Sequence, residues 1–563
     1  MPHWRSVARL LFAVALVAAF PGSPAAGFAE APTETARHAA KPASVPSTTP
    51  ATTPAVSPAI QHLQARIAEL LNSPDLEHGF WGIEVASLAT GETLYSQNSD
   101  KLFTPASNTK LFTTAAALAL IGPEYKFRTT VETTGTLDRY GRLNGDLVLV
   151  GHGDPNLSGR ELPYEGRTQR NDDPLLALET LADALVTKGV KFVDGDVVAD
   201  DSFFAFERYG EGWSQDDLVW ADGAPVSALA INDNAVFVKI LPADRPGEKA
   251  FVSLNPFADY YRIDNRIVTT PAGTGRKFFV NREPGSTVVT LWGNLPLDDP
   301  GTTEALAIEE PAEFAAGLFR QLLEKRGIVI YGHDRTRHTE LASLSTFTAT
   351  AIAPSRGGNE DPPRPLDRLL KSDQPVTLAS YESKPLTDDV RVINKISQNL
   401  HAEILLRLLG RERGNAGTVE GGLEVLRQFL TQAGVSSDQY AFFDGSGLSR
   451  QNLVTPQAVV QLLRYASSQP WGAAYKASFP VAGIDGSLAE RLTAPRLQRH
   501  VMAKTGSLTG VRALSGYATT DSGQTVVFSI FSNNLNLPAK RVTDTIDHIV
   551  EAIVEDAPAT KSN

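Results

Sequence analysis

At 563 residues the chain is longer than the few hundred at which one hydrophobic core stops growing, so two or more domains are expected. A hydrophobic content of 42% and a charged content of 21% suit a globular chain and exclude global disorder. The net charge of -12 leaves no basic excess to neutralise phosphates, which excludes nucleic acid as a partner, and the absence of cysteine excludes disulfides, thiolate metal sites and a lipid-bearing cysteine.

Residues 1–29 read as a secretory signal: Arg5 and Arg9 precede an apolar run from Leu10 to Phe20, and small residues at Ala25, Ala26 and Ala29 offer cleavage sites. That run is shorter than the about 20 apolar residues that span a bilayer, so no membrane span is expected after cleavage and the protein is expected in the periplasm or cell envelope. Residues 30–58 are rich in Pro, Thr and Ala and lack the apolar surface to offset chain entropy, which implies an extended tether. Folded structure is expected from about Ile60, where Leu63, Ile67 and Leu70 follow at helical spacing. Trp81, Ile83 and Val85 then alternate into a hairpin turning at Thr90 and Gly91. Lys110 to Ile121 reads as a buried helix stopped by Gly122 and Pro123, with Ser107 at its start.

Beyond Phe127 short strands such as Asp146 to Val150 mix with helices from Leu175 to Val186 and from Phe314 to Lys325. Each helix ends in a basic residue plus glycine, at Lys188 and Gly189 and at Arg326 and Gly327, then runs into a strand, a weak sign of a duplicated unit. Ala353 to Gln374 is a Pro-rich surface loop. Ile393, Ile396, Leu400, Ile404, Leu405 and Leu408 recur at helical spacing. Three strand-like runs follow, His500 to Thr505, Arg512 to Thr519 and Thr525 to Ser532, before an amphipathic helix carrying Val542, Ile546, Ile549 and Ile553.

No Ser-His-Asp set can be read from the ten histidines, no His-Glu-x-x-His zinc motif exists, and His401 with Glu403 is too little for a metal site. Three short patterns do occur in one order: Ser107-Asn108-Thr109-Lys110, Ser397-Gln398-Asn399 and Lys504-Thr505-Gly506. Singly each is common by chance: a solvent-facing Ser and Lys at a helix start, a polar turn, a strand ending in a turn. Their placement gives them weight. Ser107 sits at a helix N-terminus, where free N–H groups favour developing negative charge, with Lys110 one turn on, and Lys504 to Gly506 falls on a strand among antiparallel strands, with Gly506 leaving room for a substrate backbone.

From about Ile60 onward the chain resembles the low-molecular-mass class C penicillin-binding proteins, the D-alanyl-D-alanine carboxypeptidase/endopeptidase family. Supporting stretches are Gly153-Asp154-Pro155, Asp200-Asp201-Ser202-Phe203-Phe204, Ala224 to Leu229, Asn394 to Leu400 with Ala402-Glu403, and Asp444 to Arg450. The 290 residues between Ser107 and Ser397 (397 minus 107) match the large insertion this family carries. His152, where the family has glycine, and Gln398, where it usually has aspartate, are departures that remove no reacting group. The resemblance implies an α+β fold: a serine β-lactamase/DD-peptidase-like domain, its antiparallel sheet flanked by helices, made of residues 59–127 and 383–558. An inserted region of α/β type, 128–382, is expected to form two domains.

The resemblance further implies Ser107 as nucleophile on the bond between two D-alanines and Lys110 as its base, kept neutral by burial and by the charge of Lys504. Ser397 would relay the proton, Asn399 would orient Lys110 and the substrate amide, Lys504 and Thr505 would hold the terminal carboxylate, and Gly506 would leave room for the substrate backbone. The N–H groups of Ser107 and Ser507 would form the oxyanion hole. Asp200 and Arg450 would recognise a zwitterionic side chain on the preceding residue. Peptidoglycan peptides are then the partners, β-lactams the covalent inhibitors, and neither metal nor other cofactor is implied. A β-lactamase would need a residue that speeds deacylation, and none can be picked out. A peptidoglycan-binding protein without turnover has no reason to keep Ser107, Lys110, Ser397, Asn399 and Lys504.

Overall fold

A computed structural model describes residues 57–168, 170, 173–344 and 374–558. The signal, nearly all of the tether and the Pro-rich loop up to residue 373 lie outside the described residues. The first helix, α1 (Pro58–Leu71), starts two residues ahead of the expected Ile60, because the Ser57 hydroxyl caps the Ile60 N–H and Pro58 suits the first helical position. It leads into the hairpin of β1 (Phe80–Ser87) and β2 (Thr93–Gln97), and then to α2 (Thr109–Leu120).

The C-terminal strands β3 (Val501–Leu508), β4 (Val511–Thr519) and β5 (Thr525–Asn533) join that hairpin in one antiparallel sheet of order β2-β1-β5-β4-β3. Alternation along β5 shows how the sheet serves two cores. Val526, Phe528 and Ile530 pack towards α1 and the last helix, α5 (Ala539–Asp556), while Val527 and Phe531 pack towards α2. Each such side chain contributes about 1.5–3 kcal/mol when fully buried. Helix α2, between sheet and further helices, is buried on every side from Thr109 to Leu118, including Lys110.

The apolar spacing read across Ile393 to Leu408 is split into α3 (Leu386–Ile396) and α4 (Asn399–Arg413). Ser397 breaks it with a left-handed φ of 65°. Three-residue spacing of side chains carries no signal of one residue rotated out of the helical basin.

The chain leaves this unit after Phe127 and returns through Val376–Glu382, which pairs antiparallel with Arg128–Thr133. That zipped junction brings Ser107 and Ser397 together despite their separation in sequence. Arg128–Thr133 belongs to a five-stranded sheet in the order Asp334–Thr339, Val197–Ala205, Leu147–Val150, Arg128–Thr133, Val376–Glu382. The helices Leu176–Thr187 and Pro311–Lys325 share a separate core with it. After the two helix-to-glycine junctions, Phe192–Val193 pairs in parallel with Val329–Ile330, and Val197–Ala205 with Asp334–Thr339, so the repeated units lie side by side. Among the described residues the insert also holds one four-stranded, one two-stranded and two three-stranded sheets.

Candidate active site

Ser107 lies in a single 3-10 turn, Ala106–Asn108, that runs directly into α2. One turn on, Lys110 Nζ stands 2.9 Å from Ser107 Oγ, 2.6 Å from Asn399 Oδ1 and 2.7 Å from the Ser446 carbonyl. The last two can only accept. A neutral amine has two N–H donors and one lone pair, so it satisfies both acceptors and leaves its lone pair facing the Ser107 hydroxyl. Asn399 is fixed in turn, its Nδ2 donating to the Asp222 carbonyl at 2.9 Å.

Burial brings the Lys110 amine down to about 8, against the opposing pull of Asp444, Glu403 and Asp222. Burial is the largest cause, and desolvation and then the neighbouring Lys110 amine hold Lys504 well below the usual lysine range.

Ser397 projects its hydroxyl from the α3–α4 break to within 2.8 Å of Lys504 Nζ, which also donates to the Thr505 carbonyl at 2.9 Å. The Asn108 side chain donates to the Lys504 carbonyl at 3.2 Å, tying β3 to the turn that holds Ser107. Ser107, Ser397, Asn399, Thr505, Ser507 and Arg450 all line one cleft of about 480 Å³.

One expected member is placed elsewhere. Asp200 is not among the cleft residues: it sits on Val197–Ala205 in the insert, bonded to Arg337 at 2.8 Å and to the Ser202 N–H at 3.0 Å. Its neighbours in sequence resemble the family, but it is paired in register with Arg337 on the adjoining strand, so the two side chains share one face of the sheet. Gly506 lies between Thr505 and Ser507 and turns its bare face to the Pro105 carbonyl and the Asn108 amide, where a Cβ would clash, so its smallness permits the close approach of β3 to the Ser107 turn.

Asp216, Asp217 and Asp222 were not singled out in the sequence, yet they border the cleft opposite Arg450. Burial raises Asp217, and the Arg450 charge pulls it back down. A pair of acids just after Trp213 was the only available signal. Glu403, weighed in the sequence only beside His401 and within a family-like stretch, has a structural role. Fully buried, its Oε1 accepts from the Gly445 and Ser446 N–H groups at 2.9 and 2.8 Å, so it shapes the loop whose carbonyl receives Lys110. Desolvation, then Asp444, raises it to about 7. His401 is no ligand: it bridges Asp389 at 2.7 Å and Asp233 at 3.1 Å. Among the described residues no cluster suited to a metal ion occurs.

The mixed α+β fold, with a serine-lysine pair at the start of a buried helix beside an antiparallel sheet, defines a penicillin-binding-protein type of serine hydrolase. The model of the D-Ala-D-Ala carboxypeptidase 3 (S13) family matches residues 63–344 and 367–553, and the chain belongs to that family. It is 34% identical over 491 residues to a D-alanyl-D-alanine carboxypeptidase of Actinomadura sp., covering 85% of this chain and 82% of that one. It is 25% identical to the D-alanyl-D-alanine carboxypeptidase DacB of Haemophilus influenzae, covering 80% and 85%. The crystal structure of penicillin binding protein 4 from the same organism superposes with a TM-score of 0.70 at 23% identity, covering 87% of this chain and 99% of that one. The enzyme is accordingly a serine-type D-alanyl-D-alanine carboxypeptidase, a low-molecular-mass class C penicillin-binding protein.

Proposed function

We propose that Ser107 carries the reaction. Neutral Lys110 takes the hydroxyl proton as Oγ attacks the carbonyl between the two D-alanines, and the N–H groups of Ser107 and Ser507 receive the oxyanion. The C–N bond breaks as Ser397 relays the proton from Lys110 to the departing D-alanine amine, which leaves Lys110 neutral again; Lys110 then takes a proton from water as that water attacks the acyl group, and returns it to the departing Ser107 Oγ. Lys504 and Thr505 take the terminal carboxylate, whose negative charge favours the protonated form of Lys504. The hydrogen-bond set of Lys110, with two acceptors filled and one position left for Ser107, is the observation that supports this most. Cleavage of cross-links as well as stem-peptide ends, export through residues 1–29, and acylation by penicillins belong to the same reading.

Arg450 takes the carboxylate of a diaminopimelate-like third residue, and the acids across the cleft, Asp216 and Asp217, take the role first given to Asp200 in holding its amine. Intact-protein mass after penicillin treatment tests the nucleophile: a single adduct is expected on the wild type and none on Ser107→Ala. An unmodified wild type, or a full adduct on the variant, ends the assignment. Charge reversal by Arg450→Glu is expected to abolish the preference for diaminopimelate-type over amide-capped peptides.

A further inference from the structure

A second cavity adjoins the cleft. The short segment Gln215–Val219 acts as a wall between them: Asp216 and Asp217 border the cleft, while Gln215, Asp216 and Leu218 border a neighbouring space of about 400 Å³. Asp216 lines both, so the two spaces meet across one residue. The second space is bounded by the rings of Tyr209 and Trp220 and by the turn from Asn281 to Pro284. It is firmly built. Arg282, only 5% exposed, is paired with Glu309 and donates to the Leu218 carbonyl at 2.8 Å, which fastens the wall to that turn. Its Nε is buried with no partner.

The chemistry of these walls selects among ligands. The aromatic side chains of Tyr209 and Trp220, with the exposed amide of Asn281 and carboxylate of Glu283 in the same lining, offer apolar surface beside hydrogen-bond acceptors and donors. That combination suits a pyranose ring, apolar on its C–H face and ringed by hydroxyl and amide groups. Asp216, Glu283 and Glu309 disfavour an anion, and the polar rim disfavours an aliphatic side chain.

We propose that this cavity is a saccharide subsite, which holds an N-acetylated hexosamine at the sugar-linked end of the same stem whose D-alanyl end enters the cleft. The inference rests on the peptidoglycan reading above. With two residues between them, the sugar and the third stem residue stand about 10 Å apart at full extension. A sugar subsite must therefore adjoin the subsite of that third residue, and Asp216 is where the two adjoin.

The test compares kcat and KM for a stem pentapeptide with and without its disaccharide, in the wild type, Trp220→Ala and Asn281→Ala. The sugar is expected to lower KM by about fivefold in the wild type, the size of one good aromatic contact. Trp220→Ala should erase that advantage, and Asn281→Ala reduce it, with kcat on the bare peptide and the penicillin adduct unchanged, which also shows that the variants fold. No KM advantage in the wild type, or one retained by both variants, overturns the subsite. If the wild type turns over neither peptide, the peptidase reading fails on its own, and calorimetric titration with the free N-acetylated disaccharide decides the subsite. Saturable binding weakened by Asn281→Ala then supports it, and no binding overturns it.

Discussion

Lys110 can accept a proton only as a neutral amine, so its pKa of about 8 sets the pH response of the enzyme. Lowering the pH below that value protonates the amine, and the penicillin acylation rate is expected to fall about tenfold per pH unit, with a plateau above it. Stopped-flow acylation from pH 6 to 9.5 checks this. Lys110→Arg keeps the positive charge but supplies no neutral form in this range, and acylation should be lost at every pH. The spacing of Ser107 and Lys110 was legible because one helical turn makes them neighbours whatever else the chain does. The acceptors that complete the amine, Asn399 Oδ1 and the Ser446 carbonyl, come from distant segments. A backbone carbonyl leaves no mark on the sequence, since every residue has one.

Helix α4 contributes two of the restraints on Lys110 from one face: Asn399 directly, and Glu403, one turn on, through the loop from Asp444 to Ser449. That loop packs against the nucleophile turn at Gly447, which has a φ of 84° and whose hypothetical Cβ would collide with the Ala106 carbonyl. Gly447→Ala is therefore expected to displace the Ser446 carbonyl from Lys110 and to cut acylation by at least about a hundredfold, the cost of roughly 2.7 kcal/mol in the transition state. Far-ultraviolet circular dichroism should remain that of the wild type. Helices α1, α2 and α5 and the three C-terminal strands were visible from apolar spacing, to within a few residues at their ends, whereas the helices Val419–Gln432 and Pro456–Ser467 were not read. The break at Ser397 was not: the same apolar pattern fits one helix or two, and the turned-out hydroxyl is held by Lys504 from 107 residues away.

Across the whole molecule, a buried ionic network holds the insert against α3 and α4. Asp233 receives Arg160 and Arg170 from the insert and His401 from α4, and His401 reaches on to Asp389 of α3. Those cations keep the Asp233 carboxyl well below its usual value despite burial. A carboxyl lowered by folding contributes stability above its ordinary pKa of 3.8, and that stability is lost as the pH falls through the folded value. Asp233→Ala leaves Arg160 buried and unpaired, and should destabilise the protein by about 3–5 kcal/mol in urea unfolding at pH 7, with less difference in strong acid. If the variant unfolds at the wild-type midpoint, the network is not what fastens the insert.

The sequence alone determined what depends on neighbours along the chain: the pairing of Ser107 with Lys110 at a helix start, the strand that carries Lys504, the family, and the presence of a large insertion. Only the tertiary structure decided that Asp200 pairs with Arg337 while Asp216 and Asp217 line the cleft together with Arg450, that Gly506 lies against the Pro105 carbonyl, and that burial brings the Lys110 amine down to about 8. The reason is physical. Periodicity and spacing are local, whereas the direction of a strand residue and the desolvation of an amine are set by whatever remote segment packs against them.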